Sequence, residues 1–382
     1  MSNTILTSDI IVRESLAYIS DAVKAIPLVN RSYEGEFNSG VKKGTSIKAK
    51  RPISFETNEF TGLGSLVVQN IEETALTISV DKHFDCTFSV DSGDWTFSIE
   101  DFAFKYLNPA MDSLVKKMET YLLEEMFAGT QDYVAGISGY PSSIADLAKI
   151  NGKADDLNIP TGQAQALVGT KTKTSMLSTI SQLFEADKRS DNGSTFRSAD
   201  IGVAYDIQYY SSNLVDKVAS KYVASTYTTG ANVKTAASKY DTSIVLENGT
   251  SGEVIAKGQM LEATNTDGSK VSFKAKSAAT FNVSGEATVL VIVLKGDLDA
   301  LAVVEKVAVG NNFLFHKNAV SFIAIAPALP MGGSSKAVIN DTEVGIGLRI
   351  VTEYSGAAKE DTISIDVYCG AKVIDERLIA QF

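Results

Sequence analysis

Residues 98–129, SIEDFAFKYLNPAMDSLVKKMETYLLEEMFAG, contain the longest helical pattern in the chain. Apolar side chains recur there at helical spacing, which predicts a helix over residues 99–128 with one buried face. Because most helical stability in proteins comes from packing such a face, we expect this helix to hold the folded chain together. The predicted face consists of Leu107, Ala110, Met111, Leu114, Val115, Met118, Tyr121 and Leu122.

Both ends of this helix carry recognisable signals. Ser98 is followed three residues later by Asp101, which resembles a capping box, and Gly129 is expected to supply a left-handed C-terminal cap. Pro109 removes a backbone donor, so we expect either a kink there or two helices in tandem.

Two alternating segments precede the helix and predict a long two-stranded ribbon. Residues 45–52, TSIKAKRP, and residues 73–80, ETALTISV, each have the period of a strand with one face in water. An isolated two-stranded ribbon is at best marginally stable in water. We therefore expect it to lie on another surface, and a neighbouring copy of the chain is the most economical candidate.

The ribbon also carries our candidate contact residues. Lys48, Lys50 and Arg51 make its first strand basic, and Glu72 and Glu73 place acidic side chains at the start of the second. Ordinary surface charge is one interpretation. The other is an ion-pair register between copies, worth only about 0–1 kcal/mol for each exposed pair but repeated over many interfaces.

The rest of the chain mixes helical and strand patterns before an unusual insertion. Residues 163–168 and 175–186 are predicted to be helical, and residues 201–210 to contain a buried strand. Residues 225–300 are instead rich in Thr, Ser, Val, Gly and Lys, with short alternating runs separated by Asn-Gly and Asp-Gly turns. They predict a small all-β module. The chain closes with a hairpin of residues 348–352 and 363–369.

Composition excludes several classes of protein. The 382 residues carry a formal charge of −11, which argues against a nucleic-acid reader, since such proteins need a basic face. Two cysteines, Cys86 and Cys369, are too few for a disulfide scaffold or a multi-cysteine zinc site. No apolar run approaches the roughly 18–20 residues of a membrane span, and the N-terminal residues do not resemble a signal peptide, so a cytoplasmic product is expected.

Candidate catalytic groups are sparse. Asp81, His83 and Asp85 share one face of a predicted strand, which would suit acid–base or metal chemistry, but a solvated strand face is the stronger interpretation. His316 has no second His or Cys nearby in the sequence, so a hydrogen-bonded structural role is expected. Cys86 and Cys369 alternate with apolar residues and are expected to be buried and inert. We assign no catalytic, cofactor or metal residue and predict that the protein is not an enzyme.

The order of these parts, and several short stretches, resemble the tailed-phage major capsid proteins of the Hong Kong 97-type fold. More narrowly, the chain is similar to the coat proteins of short-tailed Salmonella phages, which carry an insertion domain. The insertion here is shorter than in those proteins. The stretches that carry the resemblance are residues 3–7 (NTILT), 43–52 (KGTSIKAKRP), 98–110, 312–319 (NFLFHKNA), 326–330 (APALP), 348–351 (LRIV) and 366–370 (DVYCG).

The resemblance implies an α+β capsid fold with six segments. They are an N-terminal helix and arm over residues 1–44, an extended loop over 45–80, a peripheral domain with the spine helix over 81–129, an axial domain over 130–224, an inserted β domain over 225–300, and closing axial and peripheral segments over 301–382.

The function implied is self-assembly into an icosahedral shell, first a procapsid and then the mature head, around double-stranded DNA. The implied partners are further copies of the chain, a separate scaffolding protein, a portal protein at one vertex, and DNA held without sequence-specific contact. No membrane is involved, and the expected location is the virion, after assembly in the cytoplasm of the host bacterium. The alternatives are a non-viral encapsulin-like shell protein and a monomeric β-rich binding or adhesin module that uses residues 225–300.

Overall fold

The computed structural model describes a mixed helix-and-strand protein, as predicted. Its described α-helices are α1 (Asn108–Gly129), α2 (Ile144–Asp156), α3 (Thr170–Thr179) and α4 (Asn213–Ala219). The residues that the structure describes are 24–33, 46–50, 57, 59, 62, 75–91, 106–137, 139–180, 201–219, 225–331, 335–340 and 346–382. The helix predicted near the N-terminus and most of the predicted arm lie outside them.

The strands of the described residues form two short ribbons and three larger sheets. The strands are β1 (Ser46–Lys50), β2 (Ala75–Ser79), β3 (Lys82–Asp91), β4 (Asp132–Tyr133), β5 (Ala164–Val168), β6 (Val203–Ala204), β7 (Ile207–Ser211), β8 (Thr229–Val233), β9 (Ser243–Glu247), β10 (Val254–Ile255), β11 (Met260–Thr264), β12 (Lys270–Lys274), β13 (Ala279–Thr280), β14 (Ala287–Leu290), β15 (Val303–Lys306), β16 (Phe313–His316), β17 (Val320–Ile325), β18 (Ser335–Asn340), β19 (Gly347–Ser355), β20 (Glu360–Val373) and β21 (Ile379–Gln381).

The main core lies between α1 and a five-stranded antiparallel sheet. β20 is the central strand: β3 pairs along one edge, while β19 and then β17 pair along the other. Ile363, Ile365 and Val367 of β20 alternate into the same buried cluster as Met118 and Leu122 of α1. The predicted closing hairpin is therefore confirmed, and it supplies the surface on which the long helix packs.

The buried face of α1 is the predicted one, because all eight apolar side chains assigned to it are buried. The described helix continues directly from π-helical residues 106 and 107 into α1, whose second residue is Pro109. The predicted start at residue 99 lies outside the described residues. The prediction for Gly129 is wrong: it is the last helical residue and has no positive φ.

Gly129 is instead required by close packing, which gives a testable contrast with Gly152 in α2. A Cβ on Gly129 would overlap the side chain of Val373, whereas one on Gly152 meets nothing. We expect Gly129→Ala to lower the free energy of unfolding by about 1–3 kcal/mol through overpacking. Gly152→Ala should raise it by about 0.5–1 kcal/mol, because alanine loses less backbone entropy. Urea denaturation measures both, and equal stability of the two variants would contradict the packing argument.

A second core lies under a six-stranded sheet of order β4-β21-β16-β5-β7-β6, beside α2 and α3. The helix predicted for residues 163–168 is wrong, because Ala164–Val168 form β5. Ala, Gln and Leu favour helices intrinsically, but β5 pairs with β16 on one side and β7 on the other, and this burial outweighs the propensity. The predicted strand over residues 201–210 is present as the β6–β7 hairpin.

Residues 225–306, here called the β module, form a third core. Its six-stranded sheet has the order β12-β11-β15-β8-β9-β14, with β10 and β13 paired separately. Twenty buried residues between Tyr227 and Val304 make a hydrophobic cluster of their own. Asn248 and Gly268 have positive φ at the predicted Asn-Gly and Asp-Gly turns. The β character predicted for this stretch is confirmed.

Candidate functional site

The predicted ribbon is present, formed by β1 and β2 in antiparallel register. Lys48 lies opposite Thr77, and Lys50 lies opposite Ala75, so neither faces a carboxylate directly across the ribbon. The other three candidate contact residues, Arg51, Glu72 and Glu73, lie outside the described residues. An ion-pair register between copies therefore stays a prediction.

The base of the ribbon packs on its own chain. Ile78 is fully buried and forms a small cluster with Val80, Ile323 and Ile374. The fit is close, since a Cβ on Gly370 would collide with backbone atoms at this base. The expectation that the ribbon needs a neighbouring copy is thus wrong for its base, where β17 and the segment after β20 cover it.

The opposite face of the ribbon is open. Lys48, Thr77 and Ser79 are exposed, so a polar strip with one basic side chain points away from the core. A strand pair that is anchored at one end and polar on its outer face is suited to contact another molecule without exposing a large apolar patch.

His83 does not act with its sequence neighbours. Its Nε2 lies 2.8 Å from Oδ2 of Asp366, and its ring stacks on Tyr368 with centroids 4.4 Å apart. Asp81 and Asp85 are exposed, as predicted. The partner of His83 was missed because Asp366 is 283 positions away and belongs to a different strand.

Asp366 is the centre of a buried polar cluster. It is only 3% exposed and accepts hydrogen bonds from Nε of Arg349 at 2.9 Å and from Nη2 of the same guanidinium. Nη1 of Arg349 donates to the carbonyl oxygen of Ala328 at 2.6 Å. The cluster therefore ties β3, β19 and β20 to the segment after β17, and its geometry is that of a structural ion pair.

His316 and the cysteines have structural surroundings. Nε2 of His316 lies 2.9 Å from Oε1 of Gln163, and its Nδ1 accepts from the backbone N–H of Asn318. Burial lowers the pKa of His316, which favours the neutral ring that this accepting role requires. Cys369 is buried, and burial also raises the pKa of the half-buried Cys86 thiol, so neither is activated.

The β module is joined to the rest of the chain by polar contacts that no sequence pattern predicted. Asp132 of β4 binds Nζ of Lys295 at 2.7 Å and Nζ of Lys153 at 3.5 Å. The hydroxyl of Tyr133 donates to Glu262 of β11. These partners are up to 163 positions apart, so local spacing contains no signal for them.

A cleft of about 490 Å³ opens beside this junction. It is lined by Lys257, Lys276, Lys372 and Glu125, together with apolar side chains of the module. Burial raises the pKa of Glu125, while the charge of Lys372 opposes the rise. The cleft is thus lined by charged side chains of both signs.

The described residues hold no group of three or more His, Cys, Asp or Glu side chains placed to bind a metal ion. Among the helices that the structure describes, none has the length and apolar character needed to cross a membrane.

Comparison with known proteins establishes the fold. No protein-family model and no curated protein sequence matches the chain. A solved structure from Mycobacterium phage Che8 is similar over 94% of this chain and 90% of that one, with a TM-score of 0.51 and 14% identity. The capsid structure of the cyanophage P-SCSP1u has a TM-score of 0.47 and 10% identity, with 89% and 84% of the two chains covered. A virus-like particle from Pyrococcus furiosus has a TM-score of 0.45 and 9% identity, with 97% of each chain covered.

The similarity to the Mycobacterium phage Che8 structure shows that the two chains share a fold. At 14% identity the fold is what the similarity establishes, and the role of the chain has to be argued from its own residues.

Proposed function

We propose that this chain is the major capsid protein, or coat protein, of a tailed bacteriophage and self-assembles into the icosahedral shell that encloses double-stranded DNA. The observation that carries the proposal is the fold shared with the Mycobacterium phage Che8 structure over almost the whole chain. The stretches that resemble Hong Kong 97-type capsid proteins, above all residues 312–319 and 326–330, support the same assignment. In this proposal the β module is the insertion domain of the Salmonella-phage type.

Assembly in this proposal is a matter of surface contacts, with no covalent chemistry. The outer face of the ribbon lies across an adjacent copy, the N-terminal arm reaches another, and the core around α1 keeps each copy rigid. Each contact is modest, but every copy makes several at once, and closure of the shell adds them together. Lys48, Lys50, Arg51, Glu72 and Glu73 are proposed to set the register of the ribbon on its neighbour.

The remaining partners follow from the same proposal. A separate scaffolding protein directs the procapsid, a portal protein occupies one vertex, and DNA is held without sequence-specific contact. The formal charge of −11 keeps packaged DNA from binding tightly to the wall. Assembly takes place in the bacterial cytoplasm, and the protein ends in the virion.

Negative-stain electron microscopy with sedimentation velocity tests the proposal. The chain is expressed alone and together with its neighbouring genes, which would supply a scaffolding protein. We expect hollow shells, sheets or tubes with a wall of uniform thickness. A monomer or small oligomer under both conditions would contradict the capsid assignment and favour a binding module. Shells that hold protein cargo and no DNA during infection would favour an encapsulin-like role.

A further inference from the structure

A buried lysine joins the β module to the long helix. Lys274 is the last residue of β12 and is only 1% exposed. Its Nζ donates to the carbonyl oxygen of Phe127 at 2.6 Å and to Oε1 of Gln381 in β21. The same Nζ lies 4.5 Å from the centre of the Phe127 ring. One side chain of the module thus reaches both the C-terminal turn of α1 and the edge of the second core.

The hydrogen-bond partners of Lys274 are uncharged. Its Nζ donates to two neutral oxygens and faces the ring of Phe127, and no carboxylate is among its hydrogen-bond partners in the described residues. A charge buried at this position is therefore not offset by an opposite charge bonded to it. Phe127 is also in the last turn of α1, where carbonyl groups lack helical partners, so Lys274 acts as a cap supplied by a distant segment.

Two carboxylates on the elements around this site have other lysine partners. Asp132 is bound by Lys295, and Glu262 by Lys270. Neither carboxylate is among the hydrogen-bond partners of Lys274 in the described residues. The charged groups on the surrounding elements are Asp132 on β4, Glu262 on β11, Glu124 and Glu125 on α1, Lys257 before β11, Glu305 and Lys306 on β15, and Glu376 before β21.

The direction of the pH effect follows from proton binding in the two states. Burial lowers the pKa of Lys274 to about 7, whereas the pKa of an exposed lysine is about 10.4. Between these values the undocked module binds more protons than the docked one, so docking becomes more favourable as the pH rises from about 7. Below about pH 7 the docked amine is charged too, and docking carries the full cost of burying that charge.

We propose that Lys274 is a proton-controlled latch, so that the β module docks firmly on the end of α1 in mildly alkaline solution and loosens on acidification. The proposal concerns the single chain and does not depend on its assembly into shells. In this proposal, the pH of the solution changes how firmly the β module is docked on the long helix.

Hydrogen exchange measured by mass spectrometry tests the latch. The full chain is kept at a concentration where sedimentation shows a monomer, and exchange is corrected for the intrinsic effect of pH. Peptides covering residues 124–131 and 270–276 should gain protection by up to about tenfold per pH unit between pH 7 and 9. In Lys274→Met, which is neutral at every pH, that gain should disappear.

Two further variants make the outcome decisive. Lys276 lies two residues beyond Lys274 and is exposed, so Lys276→Met should keep the full pH dependence. Lys274→Gln is also neutral at every pH and keeps a donor, so it serves if the methionine variant does not fold. Protection of β9 and β14 reports that the module itself is intact. A pH-dependent gain that survives in either Lys274 variant, or is lacking in the unmodified chain, would overturn the proposal.

Discussion

Deleting residues 52–71 and closing the ribbon with a short glycine-containing turn is expected to give a folded chain that forms no closed shells. The deletion keeps β1 and β2, whose pairing runs from Ser46 opposite Ser79 to Lys50 opposite Ala75. It also keeps Ile78 and Val80 in the cluster under the ribbon. The protomer therefore retains the described contacts of the ribbon and the five residues proposed to set its register, while residues 52–71, more than half of the extended loop proposed to lie across a neighbour, are gone.

The effect on assembly should be large because every copy loses the same contact. A loss of about 1.4 kcal/mol at one contact is a tenfold change in its equilibrium constant, and this factor applies to each copy in the shell. We expect shells to be undetectable by negative-stain microscopy, with sedimentation velocity reporting monomers or small oligomers. The urea midpoint of the deletion variant should stay close to that of the unmodified chain.

A replacement of residues 52–71 by a Gly/Ser sequence of equal length is the matched control. This variant keeps the length of the connection and removes its side chains. If it forms shells and the deletion variant does not, assembly depends on the length of the connection and not on contacts made by its side chains. Normal particles from the deletion variant itself would show that residues 52–71 are not an assembly contact.

The second large effect is expected at the buried polar cluster of β20. Asp366→Ala should lower the free energy of unfolding by about 3–5 kcal/mol, because it leaves the Arg349 guanidinium partly buried without its carboxylate. It also removes the partner of His83 on β3. Since three strands meet at this carboxylate, the loss should appear as a lower urea midpoint for the whole main core.

Asp85 provides the control for this prediction, because it lies directly opposite Asp366 in the β3–β20 register and is exposed. Asp85→Asn removes a like charge from a cross-strand pair and should be neutral or stabilising by about 0.2–1 kcal/mol. If Asp366→Ala were no more destabilising than Asp85→Asn, the cluster would not be the structural ion pair described above.

Local periodicity predicted the elements in which one face is buried. The eight apolar positions of α1, the alternation of the ribbon strands and the closing hairpin, in which Ile350 lies opposite Ile365, were all visible in the sequence. A period of 3.6 or 2 residues is dictated by which side of an element meets the core, so it appears in any stretch that is buried on one side. The turns of the β module were visible for a related reason, since Asn-Gly and Asp-Gly adopt positive φ readily.

Contacts between distant segments were not visible. β5 was predicted as a helix because Ala, Gln and Leu have high helix propensity, and only its place between two other strands makes it a strand. Gly129 was expected to be a cap but is needed for the approach of Val373. The ribbon was expected to rest on a neighbour, whereas its base packs under Ile323 and Ile374.

By itself the sequence determined the period of each element, the acidic charge, the scarcity of catalytic groups and the resemblance to phage capsid proteins, since all of these are properties of residues close together along the chain. Only the tertiary structure decided that His83 meets Asp366, that Asp132 joins the β module to the second core, and that Lys274 ends on Phe127 and Gln381. These pairs are more than one hundred positions apart. The interaction energies of these pairs depend on their burial and on the distance between them in space, and the spacing of residues along the chain predicts neither.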